Sequence, residues 1–291
     1  MNSISVKAYA KINLGLDVLR KRPDGYHDVC MIMQSLDVYD TIMIEKTNSN
    51  KIMMKTNLSY LPIDKGNLVY KAASLFFEKT GITDGLFIKL DKHIPVAAGL
   101  AGGSSDAAAT LKGLNILYNT GLTTEELMTI GVKIGADVPY CIKLGTALSE
   151  GIGEVLTSLR SIPECHVVLV KPDISVSTKY VYENLKLTDD IPHPDITNMR
   201  KALENGDLTS LTNNMDNILQ TVTVKNYPII NEIKNKMNEL GSMVSLMSGS
   251  GPTVFGIYKT REHAQNAYQY FLKHKHYGKQ VFLTKPYSPS I

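Results

Sequence analysis

Apolar and polar positions alternate along the start of the chain. Ile12, Leu14, Leu16 and Val18 are two apart, with Asn13, Gly15 and Asp17 between them. Successive side chains of a strand point to opposite faces, so residues 4–18 are expected to form one. More β structure with weak punctuation follows over 29–55. The period then changes. Leu68, Ala72, Leu75 and Phe76 recur at helical spacing and Gly81 stands just past them, which predicts a helix over 67–79. Residues 85–90 read as a strand, and Ala107, Leu111 and Leu114 mark one face of a second helix. Thr123 followed by Glu125 and Glu126 is a helix-start signature, with the helix running to about Ile134. Residues 144–154 look like a glycine-punctuated strand and bend.

The pattern breaks at Ser161 and Pro163, which divides the chain into expected domains of 1–160 and 161–291. The second half opens on an apolar strand at 166–170. It continues through helical segments, most clearly 227–240 and 262–273. Two strands, 243–247 and 254–258, flank Ser248-Gly249-Ser250-Gly251-Pro252-Thr253, either a second backbone cradle or a tight hairpin-like bend.

One stretch organises the rest: Pro95-Val96-Ala97-Ala98-Gly99-Leu100-Ala101-Gly102-Gly103-Ser104-Ser105-Asp106, set between a strand and an alanine-rich helix. Ser104 or Ser105 is expected to cap that helix. Free N–H groups and the positive end of the helix dipole suit a phosphate there, and glycine lets the backbone come close. A tight strand-to-helix turn would use the same glycines with no ligand. No Lys follows them, so this is not the Gly-Lys-Ser/Thr phosphate loop, and the spacing does not fit Gly-x-Gly-x-x-Gly.

With 291 residues, 43% hydrophobic and 20% charged, the chain can bury a core. A net charge of +3 without a basic run argues against nucleic acid or a membrane surface as partner and leaves an anionic small molecule open. Three scattered cysteines point to a reducing compartment, and no segment has the length of a membrane span, so a cytoplasmic protein is expected.

Three further places hold candidate chemistry. Lys11 and Asn13 share a strand face, as part of a site or as a solvated edge. Tyr26 and His27 follow the Asp24-Gly25 turn, where an aromatic beside a hydrogen-bonding ring suits a heterocycle or is simply surface. Asp137, between a small-residue turn and an apolar stretch, is either a partly buried carboxylate in need of a partner or the cap of a short turn beginning near Pro139.

Together these segments resemble a known superfamily. Residues 10–16 are similar to the first motif of the galactokinase–homoserine kinase–mevalonate kinase–phosphomevalonate kinase (GHMP) superfamily, 95–106 to the second and 247–255 to the third. Arg22-Pro23-Asp24-Gly25-Tyr26-His27 and Gly135-Ala136-Asp137-Val138-Pro139 narrow the resemblance to the branch acting on a cytidylated methylerythritol in the non-mevalonate isoprenoid route. It implies an α+β fold of two domains, the N-terminal one ribosomal-protein-like and the C-terminal one a ferredoxin-like antiparallel sheet with helices, with the active site in the cleft between them.

The implied reaction moves the γ-phosphoryl group of ATP, with Mg2+, to the 2-hydroxyl of the methylerythritol part of a cytidine diphosphate sugar-alcohol. By resemblance the loop from Pro95 to Ser105 holds the triphosphate, with Ser105 or Ser104 near the metal. Asp137 is the general base, Lys11 pairs with it, and Asn13 binds the methylerythritol chain. Tyr26 and His27 recognise cytosine, with Tyr182 as second stacking aromatic and Tyr180 as its competitor. Two other readings stay open. Another small-molecule kinase of the superfamily would have no use for Asp-Gly-Tyr-His, and a silent nucleotide- or RNA-binding module would not need both Lys11 and Asp137.

Overall fold

A computed structural model describes residues 1–188 and 191–289. The chain divides into two compact units, neither continuous in sequence. One comprises Met1–Ala10, Val38–Val96 and Ala101–Lys143; the other comprises Lys11–Asp37, Ala97–Leu100 and the chain from Leu144 onward. The division therefore does not follow the single break expected at 160/161. Two long strands, β1 (Ser3–Lys21) and β2 (His27–Thr47), give residues to both units. A break in hydrophobic pattern marks a loop, and these units part along continuous strands.

The first unit adds β3 (Ile52–Thr56), α1 (Leu68–Thr80), β4 (Gly85–Asp91), α2 (Gly102–Tyr118), α3 (Thr124–Val132) and α4 (Val138–Lys143). The Asn67 side chain caps α1 by accepting from the Val69 amide, and Gly81 closes it at φ 72°. Thr123 and Glu126 form a reciprocal capping box on α3. Strand β4 lies antiparallel to the second half of β2, from Thr41 opposite Asp91 to Thr47 opposite Gly85, and parallel to β3. The α2 face expected from Ala107, Leu111 and Leu114 is buried, and so are Ala108, Ala109 and Thr110. Gly113 lets the helix approach Ile44 and Val6.

The second unit contains β5 (Thr146–Gly151), β6 (Val155–Ser158), β7 (His166–Lys171), α5 (Thr178–Asn184), α6 (Ile196–Asn205), α7 (Leu208–Asn213), α8 (Gln220–Asn226), α9 (Ile229–Glu239), β8 (Val244–Met247), β9 (Val254–Tyr258), α10 (Arg261–Lys273) and β10 (Gln280–Thr284). The first half of β2 pairs with β5, which pairs with β6, all antiparallel. A separate antiparallel sheet runs β10-β7-β9-β8, with α9 and α10 packed on it. Val167 to Val170 of β7 are wholly buried, as an apolar run predicts.

The alternation in β1 misleads in one respect: residues 10–18 are buried on both faces. Lys11, Asn13 and Asp17 are no more than 7% exposed, so the solvated-edge reading of Lys11 and Asn13 is wrong. Helix α6 covers part of that face, because a Cβ on Gly15 would press into Met199 and Ile196.

Candidate active site

In the second unit, Lys11 has a defined place. Its Nζ donates to Asn13 Oδ1 at 2.8 Å and to the Gly99 carbonyl at 3.2 Å, while its backbone amide donates to the Leu100 carbonyl. The Asn13 amide reaches Met31 Sδ at 3.3 Å. Gly99 sits at φ 74°, where a Cβ would collide with the Ser248 carbonyl oxygen, so glycine is required twice over. Ser248 Oγ donates to the Gly99 carbonyl at 2.9 Å.

The segment from Ser248 to Thr253 joins β8 and β9 as a closed bend, with Ser248 and Thr253 hydrogen-bonded backbone to backbone. Asn217 clamps this bend. Its Nδ2 donates to the Met247 and Gly249 carbonyls at 2.7 and 2.8 Å, and its Oδ1 accepts the Leu219 amide. Nothing in the local pattern around Asn217 announces this; only its burial and two long-range acceptors do.

The turn before β2 is held by charge. Arg22 binds both Asp24 and Asp28, and Asp24 accepts the Tyr26 amide. Tyr26 stands 58% exposed. The His27 ring lies 5.1 Å from that of Tyr182 at an angle of 41°. Tyr180 points elsewhere, exposed and with its hydroxyl near the Asn226 amide. Of the two tyrosines, Tyr182 is therefore the one beside His27. Partial burial, with help from the Lys21 charge, lowers the His27 pKa and so favours the neutral ring.

In the first unit, α2 begins at Gly102 and its N-cap is Ala101, at φ 55° and without a side-chain cap. The expected capping by Ser104 or Ser105 is thus corrected: both lie inside the first turn or just beyond it. The N–H groups of Gly102, Gly103 and Ser104 open the helix with no intrahelical acceptor. Gly103 is exposed and its neighbours are half-exposed. An uncapped start without side chains at two positions is suited to an anion.

The Ser105 hydroxyl, expected near the metal, is held by protein groups. It is buried, donates to the Tyr9 carbonyl at 2.6 Å and lies 3.3 Å from Cys141 Sγ. Among the described residues no group of three or more His, Cys, Asp or Glu side chains could hold a metal.

Asp137 is half-buried directly before α4, with Pro139 in that helix's first turn, and its carbonyl accepts the Cys141 amide. An ion cluster unforeseen in the sequence lies beside α2. Lys92 Nζ is 2.5 Å from Asp40 Oδ2 and 2.7 Å from Asp106 Oδ2, all three side chains buried. Burial opposes the Lys92 charge, but the two carboxylates outweigh it and raise its pKa. Burial pushes the Asp106 carboxyl well above the usual range; Lys92 opposes the rise and Asp40 adds to it. The only available signal was three charged residues next to apolar segments.

The model of the GHMP kinases N terminal domain matches residues 67–145, and that of the GHMP kinases C terminal matches 199–276. A 4-diphosphocytidyl-2-C-methyl-D-erythritol kinase of Lachnoclostridium phytofermentans is 54% identical over 285 residues, 98% of each chain. One from Lachnospira eligens is 49% identical over 289 residues, covering 99% of this chain and all of its own. The crystal structure of a 4-(cytidine 5'-diphospho)-2C-methyl-D-erythritol kinase matches with a TM-score of 0.84 at 31% identity, over 98% of this chain and 100% of that one. A homoserine kinase from Cytophaga hutchinsonii matches at 0.82 over 98% of this chain and 95% of its own; its 19% identity speaks for the fold alone. The chain belongs to the GHMP kinase family and, within it, to the 4-diphosphocytidyl-2-C-methyl-D-erythritol kinases.

Proposed function

We propose that this protein transfers the γ-phosphoryl group of ATP to the 2-hydroxyl of 4-diphosphocytidyl-2-C-methyl-D-erythritol, in the non-mevalonate route to isoprenoid precursors. The observation that carries the phosphate side is the uncapped start of α2, with three first-turn N–H groups in a glycine-rich loop. Phosphoryl transfer asks little covalent chemistry of the protein and much positioning and charge neutralisation.

Asp137 takes the hydroxyl proton as the new O–P bond forms and the bond to the β-phosphate oxygen breaks, with ADP leaving. Lys11 offsets charge on the moving group, and its bonds to Asn13 and Gly99 support a fixed ammonium position. Asn13 hydrogen-bonds the methylerythritol chain. Tyr26 and Tyr182 stack on cytosine while the neutral His27 ring hydrogen-bonds its edge; each stacked ring contributes about 1–3 kcal/mol. Ser105 or Ser104 would stand near the Mg2+ ion of the nucleotide, whose charge would offset that of the triphosphate. Three free thiols suit a cytoplasmic setting. Among the described residues no helix is long and apolar enough to cross a membrane.

The test is a coupled assay offering the cytidylated alcohol, mevalonate and homoserine. Turnover of the cytidylated alcohol is expected; turnover of mevalonate alone would overturn the reading. The Asp137→Asn variant should still bind ATP and lose about 10²–10⁴ in rate.

A further inference from the structure

The cluster of Lys92, Asp40 and Asp106 has no part in the chemistry described above. Each of its bonds fixes backbone near the glycine-rich loop. Asp40 Oδ1 accepts the amides of His93 and Ile94, at 2.5 and 2.8 Å, just before the loop begins. The Asn57 side chain accepts the Lys92 amide and donates to the Lys92 carbonyl. Lys92 Nζ then spans from Asp40 to Asp106, the fifth residue of α2. Chain entering the loop is thereby tied to the helix that leaves it. Lys92 also lies directly under the helix start, since a Cβ on Gly102 would come within 3.2 Å of its Nζ.

Stability alone does not account for such a cluster. Buried ions lose their hydration, and apolar residues of similar size often hold a fold as well or better. One cation serves two carboxylates here, and Asp106 Oδ1 has no partner among the described residues. What charged hydrogen bonds offer over apolar packing is direction and short, defined distances.

We propose that Lys92, by bridging Asp40 and Asp106, is a positioning residue of the nucleotide site that sets where the first-turn amides of α2 meet the triphosphate. This rests on the reading of that helix start as the phosphate site. Without the bridge the helix start can shift relative to residues 92–94, and the amides no longer converge on the phosphates. In the reading above the acceptor alcohol is held by other residues, Asn13, Tyr26, His27 and Tyr182.

The experiment measures affinity for a non-hydrolysable ATP analogue with Mg2+ by calorimetry, together with KM for ATP and for the cytidylated alcohol. Lys92→Met should weaken the analogue about tenfold or more, as a misplacement of an ångström or less can. KM for the alcohol should stay within about twofold, a split that general loosening of the fold would not produce. Asp106→Asn keeps shape and an acceptor for Lys92, and should weaken the analogue by roughly threefold. Parental analogue affinity in folded Lys92→Met overturns the proposal, as does an equal rise in both KM values. Should Lys92→Met not fold, Asp106→Asn decides by the same criteria. Failure of the parent protein to bind the analogue would instead overturn the phosphate-site reading.

Discussion

The two units hold glycine-rich backbone in different ways. In the first, a buried cation between two carboxylates ties residues 92–94 to α2. In the second, uncharged amide and hydroxyl groups do most of the work: Asn217 grips the β8–β9 bend and Ser248 donates to Gly99, which Lys11 also meets. The ionic arrangement depends on every member, because removing one leaves another charge buried without a counter-ion. The neutral web degrades by steps, since each lost hydrogen bond costs about 0.5–1.5 kcal/mol and an orphaned buried group somewhat more. The same task, holding backbone still, thus has a brittle solution and a graded one.

That contrast can be broken experimentally. Lys92→Met should be the costliest change, losing about 3–5 kcal/mol in denaturant unfolding because Asp40 and Asp106 are left facing each other. A loss below 1 kcal/mol would show that the cluster is not brittle. Gly99→Ala should follow, at about 2 kcal/mol or more, from positive φ combined with a collision with the Ser248 carbonyl. Asn217→Ala should cost roughly 1–3 kcal/mol, because two buried carbonyls and one amide lose their partner together.

The smallest effect is in pH dependence. Asp106 has a raised folded pKa, so between the unfolded and the folded value the native state holds a proton that the unfolded chain has released. Its contribution to stability is therefore full below the unfolded value of about 4 and is lost as pH rises through the folded value. Unfolding measured against pH should show this falling component in the parent and its absence in Asp106→Asn. A parallel pair of curves would remove Asp106 from the account. No such difference is expected between the parent and Asn217→Ala, whose side chain does not titrate.

Much of the local structure was legible in the residues. Asn67 and Gly81 bracket α1, and Thr123 with Glu126 opens α3, because caps act over three or four residues and leave a local signature. The candidate site was legible in part. Lys11 with Asn13, and His27 with Tyr182, are brought together. Ser105 does not cap α2 as expected, because serine in a glycine-rich loop suits a cap, a metal or a backbone carbonyl equally well. Its choice of the Tyr9 carbonyl depends on a strand more than ninety residues away. Asn217 and Lys92 left no motif at all, since an asparagine or lysine next to apolar segments is ordinary in sequence and unusual only once buried.

By itself the sequence determined the elements, the glycine-rich loop and the family, all of which rest on neighbours along the chain or on motif order. Tertiary structure alone decided that the Ser105 hydroxyl meets the Tyr9 carbonyl, which tyrosine meets His27, and that β1 is buried on both faces. It also decided how the units divide, by carrying β1 and β2 through both. The physical reason is the range of the forces involved. Caps, turns and periodicity act over a few residues, whereas burial and the partner of a polar group are set by whatever the fold brings alongside.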